Sequence, residues 1–283
     1  MIILQLHGGL GNQLFGYAFA RFLVRHHNTE LWIDKSAFHP KYECIRNFEL
    51  CNYSICCHKI IEHEERFNFK GLMKLYGITS VIADIGHRVD DVIPSGPNMI
   101  LCCDLSTKND YLFEDEFRSL LLKELRINRS LDSYAFQSLK GDIEQSENPV
   151  SVQIRRGDYK GLQDVFRLVG EEYYEYAFNF IESRVPNPKF FIFSDEIEYV
   201  RTTMHFNRKV TFTRALSPIE TLELARTCKH FISANSTFSW WSAYLSEAST
   251  KIVLFPKKYF TSEEKQLAYE DDSDYVPSFW IKI

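Results

Sequence analysis

The amino-acid sequence predicts an α/β protein made of two domains, each built on a parallel β-sheet. Short apolar runs alternate with segments in which apolar residues recur at helical spacing, a pattern typical of parallel sheets covered by helices. The chain has 283 residues, which is enough for two domains of ordinary size. Polar residues directly follow the apolar runs, at the position where sheets of this kind bind ligands.

The first half of the chain begins with a β-α-β pattern. A strand is predicted at residues 2–6, followed by a glycine turn and a helix at residues 12–27, which Asn28 can end. Residues 30–34 form the next predicted strand. The later predicted elements of this half are a short strand at residues 99–103 and an amphipathic helix at residues 114–126.

The second half alternates more regularly. Its predicted strands are residues 150–154, 189–193, 209–212, 230–233 and 251–255. Its predicted helices are residues 172–184, 197–204, 218–226 and 237–247. The polar stretch at residues 140–149 is typical of a linker, so we predict domains at residues 1–145 and 146–283.

Composition excludes several classes of function. Hydrophobic residues make up 45% and charged residues 25%, as in ordinary globular proteins. The net charge of −5 would repel a polyanion, so no nucleic-acid partner is expected. No apolar run reaches roughly 18 residues, and the N-terminus lacks the basic and apolar regions of a signal peptide. We therefore expect a cytoplasmic protein, and peripheral contact with the inner membrane stays open.

The sequence predicts no metal site. None of the seven cysteines lies in a C-x-x-C motif, and residues 56–58 with His63 fit no standard zinc spacing, so free thiols are expected. Asp272 and Asp274 form a D-x-D, a pair that holds a divalent metal in many nucleotide-sugar enzymes. It lies in a polar acidic region instead of after an apolar strand, so we predict a solvated surface there.

A cluster of opposite charges follows the first strand of the second half. Arg155, Arg156 and Asp158 lie where this strand ends. Guanidinium groups bind phosphate through two parallel hydrogen bonds and stay charged at every working pH. The pattern fits a diphosphate site in which one arginine is held by Asp158, and it fits a structural ion pair at a sheet edge equally well.

Two further strand ends carry polar residues. Asn235, Ser236 and Thr237 precede a predicted helix, whose first N–H groups can bind an anion, although an ordinary helix cap explains the same residues. Ser194 and Asp195 follow another strand. Asp195 could accept hydrogen bonds from a guanine base, but spacing alone favours a helix cap.

The N-terminal glycines follow a strand and open a helix. Gly8, Gly9 and Gly11 allow a ligand to approach the backbone closely, and Asn12 and Gln13 could hydrogen-bond a phosphate or a sugar hydroxyl. The segment matches neither the G-x-G-x-x-G dinucleotide motif nor a P-loop, which argues against an oxidoreductase that uses a dinucleotide.

Together, these clusters resemble the bacterial α-1,2-fucosyltransferases of glycosyltransferase family 11. Residues 8–15 look like the family's G-G-L-G-N-Q-[LM]-F motif, and residues 154–159 are similar to H-[IV]-R-R-G-D-Y apart from its first position. Residues 193–195 look like its F-S-D segment, and residues 235–241 match N-S-T-F-S-W-W at every residue. The motifs occur in family order and span most of the chain.

The resemblance implies a GT-B fold, with two Rossmann-like domains that face each other across a cleft. It also implies inverting, metal-independent transfer of L-fucose from GDP-β-L-fucose, with no cofactor, to a glycan hydroxyl, by family habit the 2-OH of a terminal galactose. Arg155 would contact the diphosphate, and Asp195 with the adjoining Ser194 would meet the guanine or ribose. The nucleotide-phosphate pocket would be lined by Asn235, Ser236 and Thr237. Asn12 and Gln13 would face the cleft from the N-terminal, acceptor-side domain.

The departures from the family pattern and the choice of base leave alternatives open. Gln153 stands where the family usually has histidine, and Gly16 stands where glutamine is common. Asp158 is the first candidate for general base, although it could merely orient an arginine. Weaker candidates for this role or for the cleft are Asp164, Glu171 and His7. The competing functions are another GDP-sugar transferase, with a different linkage or GDP-mannose, and a non-catalytic sugar-binding module.

Overall fold

The computed structural model describes residues 1–39, 46–62, 69–78, 80–83, 96–102, 110–214, 216–263, 265–267 and 276–283. The chain divides into two compact units, Met1–Arg129 and Ser130–Ile283. Each unit contains a parallel β-sheet with helices, as the alternating pattern predicts. In the part of the chain that the structure describes, no helix combines the length and the apolar character that crossing a membrane requires.

The first unit contains a five-stranded parallel sheet. Its strands are β1 (Ile2–Gln5), β2 (Leu31–Asp34), β3 (Lys59–Ile61), β4 (Ser80–Ala83) and β5 (Met99–Cys102), in the order β3-β2-β1-β5-β4. Its helices are α1 (Leu10–His27), α2 (Phe69–Tyr76) and α3 (Asp115–Glu124). The central strand β1 pairs with β2 and β5, and it is buried along its whole length.

The boundaries of α1 have local causes. Gly8 adopts a φ of 74°, a left-handed conformation that favours glycine, and the helix begins two residues later. Asn28 ends the helix in the left-handed conformation, with its N–H bonded to the Val24 carbonyl. The predicted start at residue 12 is therefore two residues late, and the predicted end is confirmed.

The second unit contains a six-stranded parallel sheet. Its strands are β6 (Asn148–Ile154), β7 (Pro188–Ser194), β8 (Val210–Phe212), β9 (His230–Ile232), β10 (Val253–Phe255) and β11 (Ile281–Lys282), in the order β11-β10-β9-β6-β7-β8. Its helices are α4 (Tyr134–Glu144), α5 (Glu171–Glu182), α6 (Ile197–Thr203), α7 (Pro218–Thr227) and α8 (Thr237–Leu245). The five strands and four helices predicted for residues 150–255 are all present.

The polar stretch at residues 140–149 is not a linker. It contains the end of α4 and the start of β6, and the two units divide after Arg129. The polar residues of α4 face outward, while Phe136, Leu139 and Ile143 are buried at helical spacing. Ser133 caps α4 and also donates a 2.5 Å hydrogen bond to Glu220, which ties the helix to α7. The boundary that we predicted at 145/146 therefore lies inside the second unit.

Candidate active site

The carboxyl ends of three neighbouring strands bring the predicted clusters of the second unit together. β6 lies between β7 and β9, and its last residue, Ile154, is in register with Ser194. Residues that follow β6 therefore lie beside those that follow β7 and β9. The strands are buried along most of their length, so most polar groups at this edge come from the residues that follow them.

Arg155 lies between two carboxylates at this edge. Its Nη1 donates a 2.6 Å hydrogen bond to Asp195 Oδ2, and its Nη2 donates a 2.5 Å hydrogen bond to Asp158 Oδ1. The Arg155 side chain is 22% exposed, so its guanidinium group can still be reached from solvent. Asp158 thus orients Arg155. The sequence had left this role open beside that of general base.

Asp195 binds the backbone as well as the side chain of the arginine pair. Its Oδ1 accepts a 3.0 Å hydrogen bond from the Arg156 N–H, while its Oδ2 accepts from Arg155. Adjacent Ser194 accepts a 3.0 Å hydrogen bond from the Glu196 N–H and so shapes the turn into α6. A guanine contact by Asp195 stays a prediction, and in this structure the carboxylate holds the turn after β6.

Arg156 belongs to a second ion cluster beside the first. Its Nε lies 3.4 Å from Glu196 Oε2, and its guanidinium carbon lies 3.9 Å from the centre of the Tyr199 ring. Lys160 forms an ion pair with the other oxygen of Glu196. The hydrogen bond from Lys160, assisted by Arg156, lowers the pKa of Glu196, so this carboxylate is ionised at neutral pH.

Tyr159 joins the arginine to the strand end at β9, a role that sequence reasoning missed. Its ring centre lies 5.2 Å from the guanidinium carbon of Arg155 and stacks on Phe166 at 4.5 Å. Its hydroxyl donates a 2.9 Å hydrogen bond to the Asn235 carbonyl. Burial, opposed by Arg155, raises the pKa of Tyr159 to about 12, so the hydroxyl keeps its proton. The sequence signal for this residue was its place as the last position of the H-[IV]-R-R-G-D-Y motif.

Asn235 serves the protein interior in this structure. It is fully buried, and its Nδ2 donates 2.8 Å hydrogen bonds to the carbonyls of both Arg167 and Tyr259. These bonds fasten the segment after β6 to the segment after β10. The Asn235 Nδ2 is thus committed to two backbone carbonyls, and the predicted place of Asn235 in a phosphate pocket stays a prediction.

The N-terminus of α8 has the geometry of an anion site. Ser236 caps the helix by accepting a 3.3 Å hydrogen bond from the Phe238 N–H, and Thr237 is half-buried at the first helical position. The positive end of the helix dipole lies here. Trp240 and Trp241 are both fully buried, so they anchor the helix in the core.

The two residues predicted from the first unit differ in what they can do. Gln13 is fully buried, and its Nε2 donates hydrogen bonds to the Gly8 and Asn47 carbonyls at 3.1 and 2.8 Å. Its Oε1 accepts from the Glu49 N–H at 2.9 Å, so both ends of the amide hold backbone in this structure, and its ligand contact stays a prediction. Asn12 is half-buried and packs against the turn at Gly8, and its ligand contact stays a prediction.

Comparison with known proteins identifies the family to which this architecture belongs. The family model described as glycosyl transferase family 11 matches residues 107–282, which is more than half of the chain.

The chain belongs to glycosyl transferase family 11.

Two Escherichia coli proteins are similar over nearly their whole length. The O-antigen biosynthesis glycosyltransferase WbnK is 29% identical over 92% of this chain and 95% of that protein. An α-1,2-colitosyltransferase is 27% identical over 100% of this chain and 99% of that protein. Among solved structures, the fucosyltransferase NodZ from Bradyrhizobium matches with a TM-score of 0.53 at 13% identity, covering 85% of this chain and 91% of that chain. The predicted α/β fold of the GT-B type, with two parallel sheets, is confirmed.

Gln153 is one of the two positions at which this family 11 chain departs from the family pattern. It is 6% exposed in β6, and its backbone carbonyl accepts a 3.1 Å hydrogen bond from the Tyr174 hydroxyl. Its Nε2 lies 3.5 Å from Ser151 Oγ in the same strand. Because the side chain is buried and does not titrate, it cannot transfer a proton to substrate.

The structure gives the position and exposure of the three weaker candidates for general base or cleft residue. Asp164 and Glu171 are exposed, on the segment after β6 and in the first turn of α5, and His7 is half-buried after β1. Among the described residues, His, Cys, Asp and Glu form no group of three that could hold a metal ion. Asp272, Asp274 and His63 lie outside the described residues.

Proposed function

We propose that this family 11 glycosyltransferase transfers L-fucose from GDP-β-L-fucose to a sugar hydroxyl, with inversion and without a metal ion. The acceptor group is the 2-OH of a terminal galactose, and the product linkage is α-1,2. The family motifs support the donor, and the similarity to an α-1,2-colitosyltransferase supports the linkage.

One observation carries the proposal: Arg155 and the N-terminus of α8 meet at one strand edge. Tyr159 links them, because its ring lies beside the Arg155 guanidinium and its hydroxyl bonds the residue before the Ser236 cap. A fixed cation and the positive end of a helix dipole are two protein features that bind phosphate oxygens without a metal. Together they would stabilise the charge that develops on a departing diphosphate.

The reaction is a single displacement at the anomeric carbon of fucose. The acceptor oxygen forms a bond to C1 as the bond from C1 to the β-phosphate oxygen breaks, and that oxygen keeps the electron pair. Asp158 receives the proton of the acceptor hydroxyl. Its carboxylate is 41% exposed, so an acceptor hydroxyl can reach it from solvent. General base catalysis of this kind contributes about 10²–10⁴-fold.

Calorimetry of GDP with EDTA-treated protein tests the donor site. We expect binding without a metal, and an Arg155→Ala variant should lose both GDP affinity and turnover. Arg184→Ala is a matched control, because Arg184 is an exposed arginine near the end of α5 that bonds only nearby residues. GDP binding that requires added manganese would refute the metal-independent site. An acceptor array with GDP-fucose, with linkages read by NMR, tests the galactose 2-OH.

A second candidate donor sugar is colitose, the 3-deoxy form of L-fucose. The chain is similar over its full length to a colitosyltransferase, and the two sugars differ by a single hydroxyl. A site that hydrogen-bonds the 3-OH would reject the deoxy sugar strongly, whereas an apolar site would discriminate weakly. The kcat/KM values for the two GDP-sugars therefore decide between these donors.

A further inference from the structure

Arg155 forms ion pairs with two carboxylates, and the hydrogen bonds of these two carboxylates differ. Asp195 contacts the arginine pair through both oxygens, one on the Arg155 side chain and one on the Arg156 N–H. The structure gives Asp158 a 2.5 Å hydrogen bond from Arg155 Nη2 through one oxygen. The two carboxylates engage different terminal nitrogens of the same guanidinium group.

The surroundings of the two carboxylates differ in the same sense. Asp195 lies against the backbone at Gly157, where an added Cβ would overlap its carboxylate, and its side chain is 26% exposed. Asp158 begins the short 3-10 turn Asp158–Gly161, and its side chain is 41% exposed. The Asp158 carboxylate is therefore the more exposed of the two, and water can solvate it if it leaves Arg155.

We infer that the Asp158 carboxylate occupies the place on Arg155 that a donor phosphate takes, and that the donor displaces it on binding. Asp195 stays bound to Arg155 and is called the anchor. This inference rests on the proposed function, because it requires a diphosphate at Arg155. Carboxylate and phosphate oxygens accept from the same guanidinium N–H groups, so one can replace the other. Displacement releases Asp158 from its ion pair only when the donor is bound, and its carboxylate then becomes available to the acceptor hydroxyl.

The two carboxylates can be compared by isosteric substitutions that remove one negative charge each. Asp158→Asn removes the competitor and should tighten GDP binding about two- to five-fold, in line with the loss of one exposed ion pair. Asp195→Asn removes the anchor and should not tighten GDP binding. If only the total negative charge near the diphosphate mattered, both variants would bind GDP more tightly by the same factor.

Calorimetric titration of GDP into wild type, both single variants and the matching Arg155→Ala double variants tests the inference. We expect the gain from Asp158→Asn to vanish in the Arg155→Ala background, since the competition acts through Arg155. Asp158→Asn that leaves GDP affinity unchanged or lower, or equal tightening in both single variants, would overturn it. Thermal melting verifies folding, and if Asp195→Asn fails to fold, the Asp158→Asn and Arg155→Ala pair decides alone. Failure of wild type to bind GDP would instead refute the proposed function.

Discussion

Gly157 leaves the space that the Asp195 carboxylate occupies. A Cβ at residue 157 would overlap Oδ2 of Asp195, the same oxygen that accepts from Arg155 Nη1. The missing side chain thus lets a carboxylate from the turn after β7 reach the arginine that follows β6.

Gly157→Ala should therefore impair the enzyme without unfolding it. The new methyl group displaces Asp195 and leaves Arg155 misplaced, and a misplacement of about 1 Å can cost 10²-fold in rate. We expect kcat/KM to fall by about that factor and GDP affinity to fall with it. Gly161→Ala is the control, because a Cβ there meets nothing within 4 Å and the residue ends the same turn. Wild-type kinetics in Gly157→Ala would show that Asp195 is not needed at this position.

Asn235 should contribute more to stability than its size suggests. Asn235→Asp replaces the two amide donors with a carboxylate that faces the Arg167 and Tyr259 carbonyls, so both carbonyls lose their bond. We expect the free energy of unfolding to fall by about 3 kcal/mol or more. Denaturant unfolding followed by tryptophan fluorescence measures it.

Asn148→Asp is a matched control for that substitution. Asn148 Nδ2 also donates to a backbone carbonyl, that of Pro186 at 2.7 Å, but in a solvent-exposed setting. Water can replace this bond, so the loss should stay below about 1 kcal/mol. Equal losses in the two variants would contradict the special role of the buried amide.

A buried ion pair should stabilise the first unit. Glu124 in α3 accepts hydrogen bonds from Arg21 at 2.6 and 2.9 Å and from the Tyr17 hydroxyl at 2.5 Å, all from α1. Glu124→Ala strands the Arg21 charge and should cost about 3–5 kcal/mol in unfolding free energy. Glu116→Ala, which breaks a 3.6 Å pair with exposed Arg25, should cost less than about 1 kcal/mol. A small loss at Glu124 would mean that water reaches Arg21 readily.

His230 should make stability depend on pH. Its Nδ1 accepts a 3.1 Å hydrogen bond from the Ile252 N–H, which requires an unprotonated nitrogen. Burial, with a contribution from Lys229, lowers the pKa of His230 below its ordinary value of 6.5. Below pH 6.5 the unfolded chain binds a proton that the folded chain does not, so stability falls as pH decreases and is fully present above that pH. The difference in Tm between wild type and His230→Asn should narrow from pH 7.5 to pH 5, and a constant difference would contradict the mechanism.

The motif sequences identified the clusters of polar residues at the strand ends. They did not show which contact each residue of a cluster makes. Arg155 and Asp158 are close in sequence, so their pairing could be predicted. The role of Asp195 at Arg155 could not, because 40 positions separate the two residues and only the β6–β7 register joins them. Gln13 and Asn235 look like ligand residues in the sequence. In the structure both amides donate to backbone carbonyls, a demand that appears only when the chain is folded.

By itself, the sequence determined the alternation of strands and helices, because the period of apolar residues is a local property of the chain. It also determined the kinds of side chain that follow each strand. The tertiary structure alone decided which of these side chains meet, because parallel strands bring together segments that are distant in sequence. It also decided that α4 belongs to the second unit, since its apolar face is buried there while its polar residues merely resemble a linker.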